Sequence, residues 1–233
     1  MMKKNTPVHY DYIERPKACS PIDFWGQVRR TVNGQPISCE QISIIFSMIH
    51  KALSFKTDDA LLDMCCGNGR LGYEFFDFVK SYRGVDLSPT MIEIANKNFL
   101  RSPTHTFIEN EIYDYLTAES NPEVYTKVLW YCSVQYFDDT EIEAILSKLH
   151  ERFKSSSHVF LGSLPDAARA HNFFYENAKQ PLDDPTSSIG RWFDSRELQT
   201  LAEKCGWSVI IDVMPSEFYQ SSFRFNALLK RRQ

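Results

Sequence analysis

Two aspartates bracket a glycine turn. Asp63 sits near the end of the apolar run Ala60–Met64, and Gly67-Asn68-Gly69 follows it. Asp86 closes a second short apolar segment seventeen residues beyond Gly69. Glycine has no Cβ and tolerates positive φ, so a turn built on Gly67 and Gly69 lets the backbone come close to a bound molecule. A carboxylate at the carboxyl end of a strand can accept both hydroxyls of a ribose. The arrangement points to a ligand carrying a nucleoside. Gly67, Gly69 and Gly72 also spell G-x-G-x-x-G, a dinucleotide pattern. Asp63 tells against that ligand, because a carboxylate beside the turn repels a pyrophosphate and suits a cationic, amine-bearing molecule.

The spacing Asp-x-x-x-Gly-x-Gly with the later Asp86 resembles the S-adenosylmethionine site of class I methyltransferases, over roughly residues 57–164. The resemblance implies that Gly67 and Gly69 pack against the methionyl part of the cofactor, with Asp63 near its amino group. It implies that Asp86 holds the ribose hydroxyls and that Leu87 lies beside the adenine. A third motif falls on residues 107–114, with Glu111 and Ile112 at the adenine-contact places and Asn110 where glycine is usual. A fourth falls on residues 127–137, preceded by Tyr125-Thr126 where the family commonly has Phe-Asp. Cys65 and Trp130 are the remaining cofactor-binding candidates. The two alternative readings are an NAD(P)-dependent Rossmann oxidoreductase and a protein that binds S-adenosylmethionine without turnover.

In open parallel sheets a ligand lies beyond the carboxyl ends of the strands, so the acceptor of a methyl group is expected there. Methyl transfer from a sulfonium is an in-line displacement, and a hydroxyl acceptor also needs a base. His171, His9 and Asp166 are the base candidates, in that order. Tyr10, Tyr12 and Trp25 are read as an aromatic wall of an N-terminal lid to which Arg29 and Arg30 also belong. Tyr131, Gln135, Arg169 and Tyr219 are the remaining substrate candidates. Arg29, Arg169 and Arg191 are the cations able to clamp an acidic group.

The elements that must position these residues follow from periodicity. Strands are expected at Ala60–Met64, Ser81–Asp86, His105–Glu109, Lys127–Tyr131 and residues 158–164, 207–214 and 223–229. Helices are expected at residues 69–79, 89–100, 111–117, 139–153 and 195–205. Their alternation argues for an α/β chain with βαβ units. The resembled family adds a seven-stranded, mostly parallel sheet with helices on both faces. Residues 1–56 read as a helical, aromatic N-terminal cap, and residues 57–233 as the cofactor-binding domain with a substrate-covering insertion near 165–192.

Composition narrows the partners. A formal net charge of -4 offers no basic face for long nucleic acid, so a small-molecule acceptor is expected, methylated at oxygen. The six cysteines form no C-x-x-C pair and no Cys/His ligand spacing, so neither metal nor disulfide is expected. No apolar run reaches bilayer length, and no apolar stretch follows the charged N-terminus; a cytoplasmic protein with no membrane partner is expected.

Overall fold

The computed structural model describes residues 14–32, 34–174 and 182–232. Two one-turn helices, α1 (Arg15–Ala18) and α2 (Phe24–Gln27), lead to a small hairpin, β1 (Thr31–Val32) and β2 (Gln35–Pro36), and then to α3 (Cys39–Leu53). The main unit follows as β3 (Ala60–Met64), α4 (Arg70–Tyr73), β4 (Ser81–Asp86), α5 (Pro89–Phe99), β5 (His105–Glu109), α6 (Ile112–Ala118) and β6 (Lys127–Tyr131). It continues with α7 (Asp139–Arg152), β7 (His158–Pro165), α8 (Ser195–Lys204), β8 (Trp207–Val213) and β9 (Arg224–Arg231).

The seven strands β3–β9 form one sheet in the order β5-β4-β3-β6-β7-β9-β8. β5, β4, β3, β6 and β7 run parallel; β9 enters between β7 and β8 and is antiparallel to both. The strand order reverses between β3 and β6, which opens a crevice at their carboxyl ends. This is the class I methyltransferase fold that the sequence resemblance implied.

Every residue of β3 and β6 is buried, as expected of strands covered on both faces. Period-two alternation sends their side chains to two cores. Leu62, Met64, Val128 and Trp130 pack on the α6–α7–α8 side. Leu61, Leu129 and Tyr131 pack on the side of α3 and α5. Good caps fix the helix starts: Ser88 accepts the Met91 N–H ahead of Pro89, and Asp138 with Glu141 forms a reciprocal capping box on α7.

One expected helix is shorter than its pattern. The stretch 69–79 supplies only α4 and a 3-10 turn at Phe76–Phe78. Phe75 and Phe76 are drawn fully into the core, and that burial overrides helical continuation. Gly72 faces the Tyr82 ring so closely that an added Cβ would lie 2.1 Å from its hydroxyl oxygen. The third glycine of the pattern therefore serves helix–strand packing.

Candidate ligand cavity at the strand ends

The chain leaves β3 through Cys65, which adopts φ +58°, and then turns through Gly67 at φ +56° and Gly69 at φ +76°. Left-handed backbone is strained for a residue with a Cβ, and Cys65 is held there by its surroundings. The neighbouring Cys66 N–H bonds to the Val85 carbonyl. Asp86 fastens the turn to β4: its Oδ2 accepts the Gly67 N–H at 2.8 Å and its Oδ1 the Ser88 N–H at 2.9 Å. Asn68 ties the other side of the turn to α2, donating to the Phe24 carbonyl and to Gln27 Oε1, each at 2.8 Å. The N-terminal segment is thereby drawn over the crevice, and Val28 and Arg30 become part of its wall.

The two glycines divide their work. Gly67 lines the cavity, and an added Cβ would meet only Val28, at 3.2 Å. Gly69 faces away from it, with the Phe107 ring 2.5 Å and the Ala95 Cβ 3.1 Å from where a Cβ would stand. The expectation that Gly69 packs against the ligand is corrected: the Phe107 ring and Ala95 fill the space at its Cα.

Asp63, Cys65, Gly67, Asp86, Leu87 and Glu111 come together in one cavity of about 270 Å³. Asp63 is 3 % exposed and accepts the Tyr82 hydroxyl at 2.7 Å. Burial pushes its carboxyl up to about 7; the Tyr82 hydrogen bond and Arg30 oppose that rise, while Asp86 adds to it. Asp86 is also raised by burial, and the N–H groups of Ser88 and Gly67 pull it back. Glu111 caps α6, its Oε2 accepting the N–H groups of Tyr113 and Asp114. Such an end is suited to hydroxyls and to positive charge. It is unsuited to a pyrophosphate.

The other end is built by the segment after β6. Tyr131 and Cys132 line it, Cys132 adopting φ +61°, and the guanidinium of Arg30 lies 4.6 Å from the Tyr131 ring centroid. Ser133, Tyr136 and Phe137 continue this wall, and Pro185 and Thr186 close it from the stretch after residue 182.

Several expected site residues lie elsewhere. Trp130 points the opposite way from Tyr131, fully buried against Phe137, because strand alternation assigns it to the other face. Ile112 sends its side chain into the same core, which leaves its backbone N–H as the group expected to meet the adenine. Trp25 packs beneath the N-terminal segment with Arg70 over its ring, outside the wall. Gln135 is 1 % exposed beneath Gly190 and donates back to the Cys132 carbonyl, so it is covered from the cavity.

The base candidates are corrected in the same way. Asp166 caps the 3-10 turn Ala167–Asn172 and pairs with Arg169 at 2.6 Å. Arg169 spends its other nitrogens on the carbonyls of Ser221 and Arg224, so it staples loops together. Pinned by that staple, the turn leaves His171 exposed to solvent, away from the cavity wall. Tyr219 is half-buried behind the wall, where Arg30, Cys132 and Arg224 act on its hydroxyl. His9, Tyr10 and Tyr12 lie outside the described residues. Arg29 and Arg191 are engaged with the Ser188 carbonyl and Asp139, respectively.

Sequence reasoning singled out neither Val28 nor Asn68 as site residues, and it placed Arg30 only in a lid. Arg30 stands among other arginines and carries no motif that would mark it. Asn68 was visible as the residue between two glycines, though its bridge to α2 joins positions 41 and 44 residues apart. Among the described residues, no group of three or more His, Cys, Asp and Glu side chains is placed to hold a metal, and no helix is long and apolar enough to cross a membrane.

Residues 61–156, from β3 through α7, match the family model of a methyltransferase domain. An uncharacterized RNA methyltransferase of Streptococcus agalactiae serotype III (strain NEM316) is 40% identical over 80 residues, 34% of this chain and 17% of that protein. The chain thus matches about a sixth of the length of such relatives. An S-adenosylmethionine-dependent methyltransferase from Clostridium acetobutylicum ATCC 824 superposes with a TM-score of 0.62 at 13% identity, over 84% of this chain and 93% of that one. Magnesium protoporphyrin IX methyltransferase from Synechocystis PCC 6803, solved with bound S-adenosylhomocysteine, gives a TM-score of 0.57 at 14% identity, over 83% of this chain and 84% of that one.

Proposed function

We propose that the chain, whose residues 61–156 match the family model of a methyltransferase domain, transfers a methyl group from S-adenosylmethionine to a small molecule, at oxygen. The observation that carries the donor half is the pairing of Asp63 and Asp86 on one cavity wall with Gly67 between them. Asp86 suits the ribose hydroxyls: both its oxygens are already oriented by backbone donors, and each keeps a lone pair. Asp63 suits the cofactor's ammonium group, since a positive charge nearby restores the ionised form that burial disfavours. Leu87 and Glu111 lie where the adenine would rest.

The sulfonium already activates the methyl group. What remains for the protein is to align the acceptor, to exclude water and, for a hydroxyl acceptor, to take its proton. Tyr131, Cys132, Tyr136 and Phe137 form the wall next to the donor end, and the segment carrying Pro185 and Thr186 covers it. That coverage fits an acceptor of small size. The net charge of -4 fits it as well, despite relatives named RNA methyltransferases, because the similarity to them takes in only a third of this chain. All six cysteines are unbridged, in keeping with a reducing, cytoplasmic setting.

Calorimetric titration tests the donor half. S-adenosylhomocysteine should bind the wild-type chain and lose at least tenfold in affinity in Asp86→Ala, whereas NAD(P) should not bind. Equal affinity in that variant would refute the placement. Methyl transfer from labelled S-adenosylmethionine to a metabolite pool, set against total RNA, tests the acceptor class.

A further inference from the structure

A second cavity, of about 550 Å³, opens between α3 and the sheet at β7, β9 and β8. It shares no wall residue with the cavity at the strand ends. Its volume is that of a small-ligand pocket. Strand alternation and register arrange its floor in rows. His158 on β7 stands opposite Lys230 on β9. Two residues along, Phe160, Leu228 and Ile210 lie side by side across β7, β9 and β8. In the next row Asn226 pairs with Asp212, the one carboxylate of the wall. The floor therefore passes from a cationic row through an apolar row to an acidic end. Asp212 is four residues along β8 from Ser208, the partner of Lys230, a separation of about 13 Å at the rise of a strand.

The opposite wall, α3, follows the same polarity. Its first turn is tied to the loop after β8: Gln41 donates to the Glu217 carbonyl at 2.8 Å and accepts the Tyr219 N–H at 2.9 Å. Met48 meets Asn226, which donates to its sulfur at 3.5 Å. Lys51 lies a turn further on, toward the end where the chain enters β3 beside Lys127. Lys51 thus joins His158 and Lys230, while Ile44 and Met48 extend the apolar middle. Behind His158, Lys127 is 6 % exposed and its ammonium donates to Nδ1 of the ring at 3.2 Å. That bond makes Nδ1 an acceptor and puts the ring hydrogen on Nε2, which has no partner among the described residues. Burial, then Lys127 and Lys230, hold the ring below the ordinary histidine value, against an opposing pull from Asp59. Asp59 stands outside the wall and accepts the Lys56 N–H and the Thr126 hydroxyl. Lys51 and Lys230 take part in no ion pair among the described residues.

We propose that this groove binds an amphipathic anion, a small molecule with an apolar chain and a single carboxylate head. The head lies among Lys51, Lys230 and the Nε2–H of His158, where charge-assisted hydrogen bonds hold it. The chain runs over Phe160, Leu228 and Ile210 toward Val213 and Pro215. Ile210 is 49 % and Val213 72 % exposed, so covering them removes apolar surface from water. Asp212 repels a second acidic group at the far end, which fixes the direction of the chain and disfavours a diacid. A cationic head meets two ammonium groups and is rejected. The groove shares no residue with the strand-end cavity, so the inference is independent of the methyl-transfer reading.

The test titrates the full chain with decanoate, decanol, decanedioate and decyltrimethylammonium, all below micelle formation. Decanoate should bind once per chain, and its affinity should fall as salt rises. Decanol and decanedioate should bind at least tenfold more weakly, and decyltrimethylammonium not measurably. Lys51→Met and Lys230→Met, both at exposed positions, should each weaken decanoate binding at least threefold and leave decanol binding within twofold. Ile210→Asp places a carboxylate in the apolar row and should abolish decanoate binding; the two lysine variants carry the test if it fails to fold. Lys97→Met, on α5, should change nothing. Saturating S-adenosylhomocysteine should leave decanoate affinity within twofold. Equal binding of decanoate and decanol, several decanoates per chain, or an equal loss in Lys97→Met would overturn the site. So would displacement by S-adenosylhomocysteine, which would move the anion to the strand-end cavity. A dimer in sedimentation that Ile210→Asp dissociates, with no decanoate bound, would give the groove to a second copy of the chain.

Discussion

The carboxylate of Asp86 receives the backbone N–H of Gly67 at 2.8 Å, joining the end of β4 to the turn that leaves β3. One side chain thus shapes the turn and lines the cavity. The same oxygens that stiffen the loop keep lone pairs that the proposed ribose contact would use, so that reading couples stability and binding at this residue.

Asp86→Asn should expose that coupling. An amide presents one acceptor to the two N–H groups of Gly67 and Ser88, leaving one of these buried donors unmet. The expected destabilisation is about 1–3 kcal/mol, with at least a tenfold loss of S-adenosylhomocysteine affinity. Thermal melting and calorimetry measure the two effects. A variant with lowered stability and unchanged affinity would leave Asp86 a structural residue only.

Asp63 predicts a pH dependence. Its carboxyl is raised to about 7 in the folded chain, mainly by burial, so below that pH it is largely protonated and cannot pair with an ammonium group. Affinity for S-adenosylhomocysteine should therefore rise by about tenfold from pH 6 to pH 8, and Asp63→Asn should flatten the rise. Without ligand the sign reverses. The folded state binds the proton more tightly than the unfolded chain, so this group's contribution to stability declines as pH climbs from the ordinary aspartate range to about 7. The melting temperature of Asp63→Asn should accordingly exceed that of the wild type by more at pH 8 than at pH 5.

The two glycines of the turn should respond differently to alanine. Gly69→Ala drives a Cβ to 2.5 Å from the Phe107 ring at φ +76°, combining backbone strain with overpacking. A loss of about 2–4 kcal/mol is expected from those two effects together. Gly67→Ala meets only Val28 and should lose about 1–2 kcal/mol through its φ. Its methyl group enters the cavity, so affinity for S-adenosylhomocysteine should fall further than stability does. Chemical denaturation with parallel titrations separates the pair.

Arg169→Ala should lower the melting temperature by several degrees, since it removes the Asp166 ion pair and two donors to loop carbonyls. Affinity for S-adenosylhomocysteine should stay within twofold. His171→Ala should leave both quantities unchanged. A marked loss of binding in His171→Ala would return that residue to the candidate site.

The sequence by itself determined the strands and the aspartate–glycine wall of the cavity. The strands β3, β4, β5 and β6 match their expected bounds residue for residue, because short apolar runs between turn residues leave little freedom in where a buried strand starts and stops. Asp63, Gly67 and Asp86 were legible for a related reason: they stand at strand ends, where a short local pattern fixes both position and direction. Only the tertiary structure decided the rest of the cavity wall. Tyr131 and Trp130 are adjacent in sequence and equally aromatic, and strand alternation alone sends one to the cavity and the other to the core. His171 and Asp166 followed a strand as a base should, yet the Arg169 staple turns their segment outward. Arg30 and Arg224 are 194 positions apart and carry no local signature. Both act on Tyr131 and Cys132, brought there by the return of β9 beside β7 and by the bridge from Asn68 to α2. Contacts of that range depend on how whole elements pack, and one-dimensional spacing does not encode it.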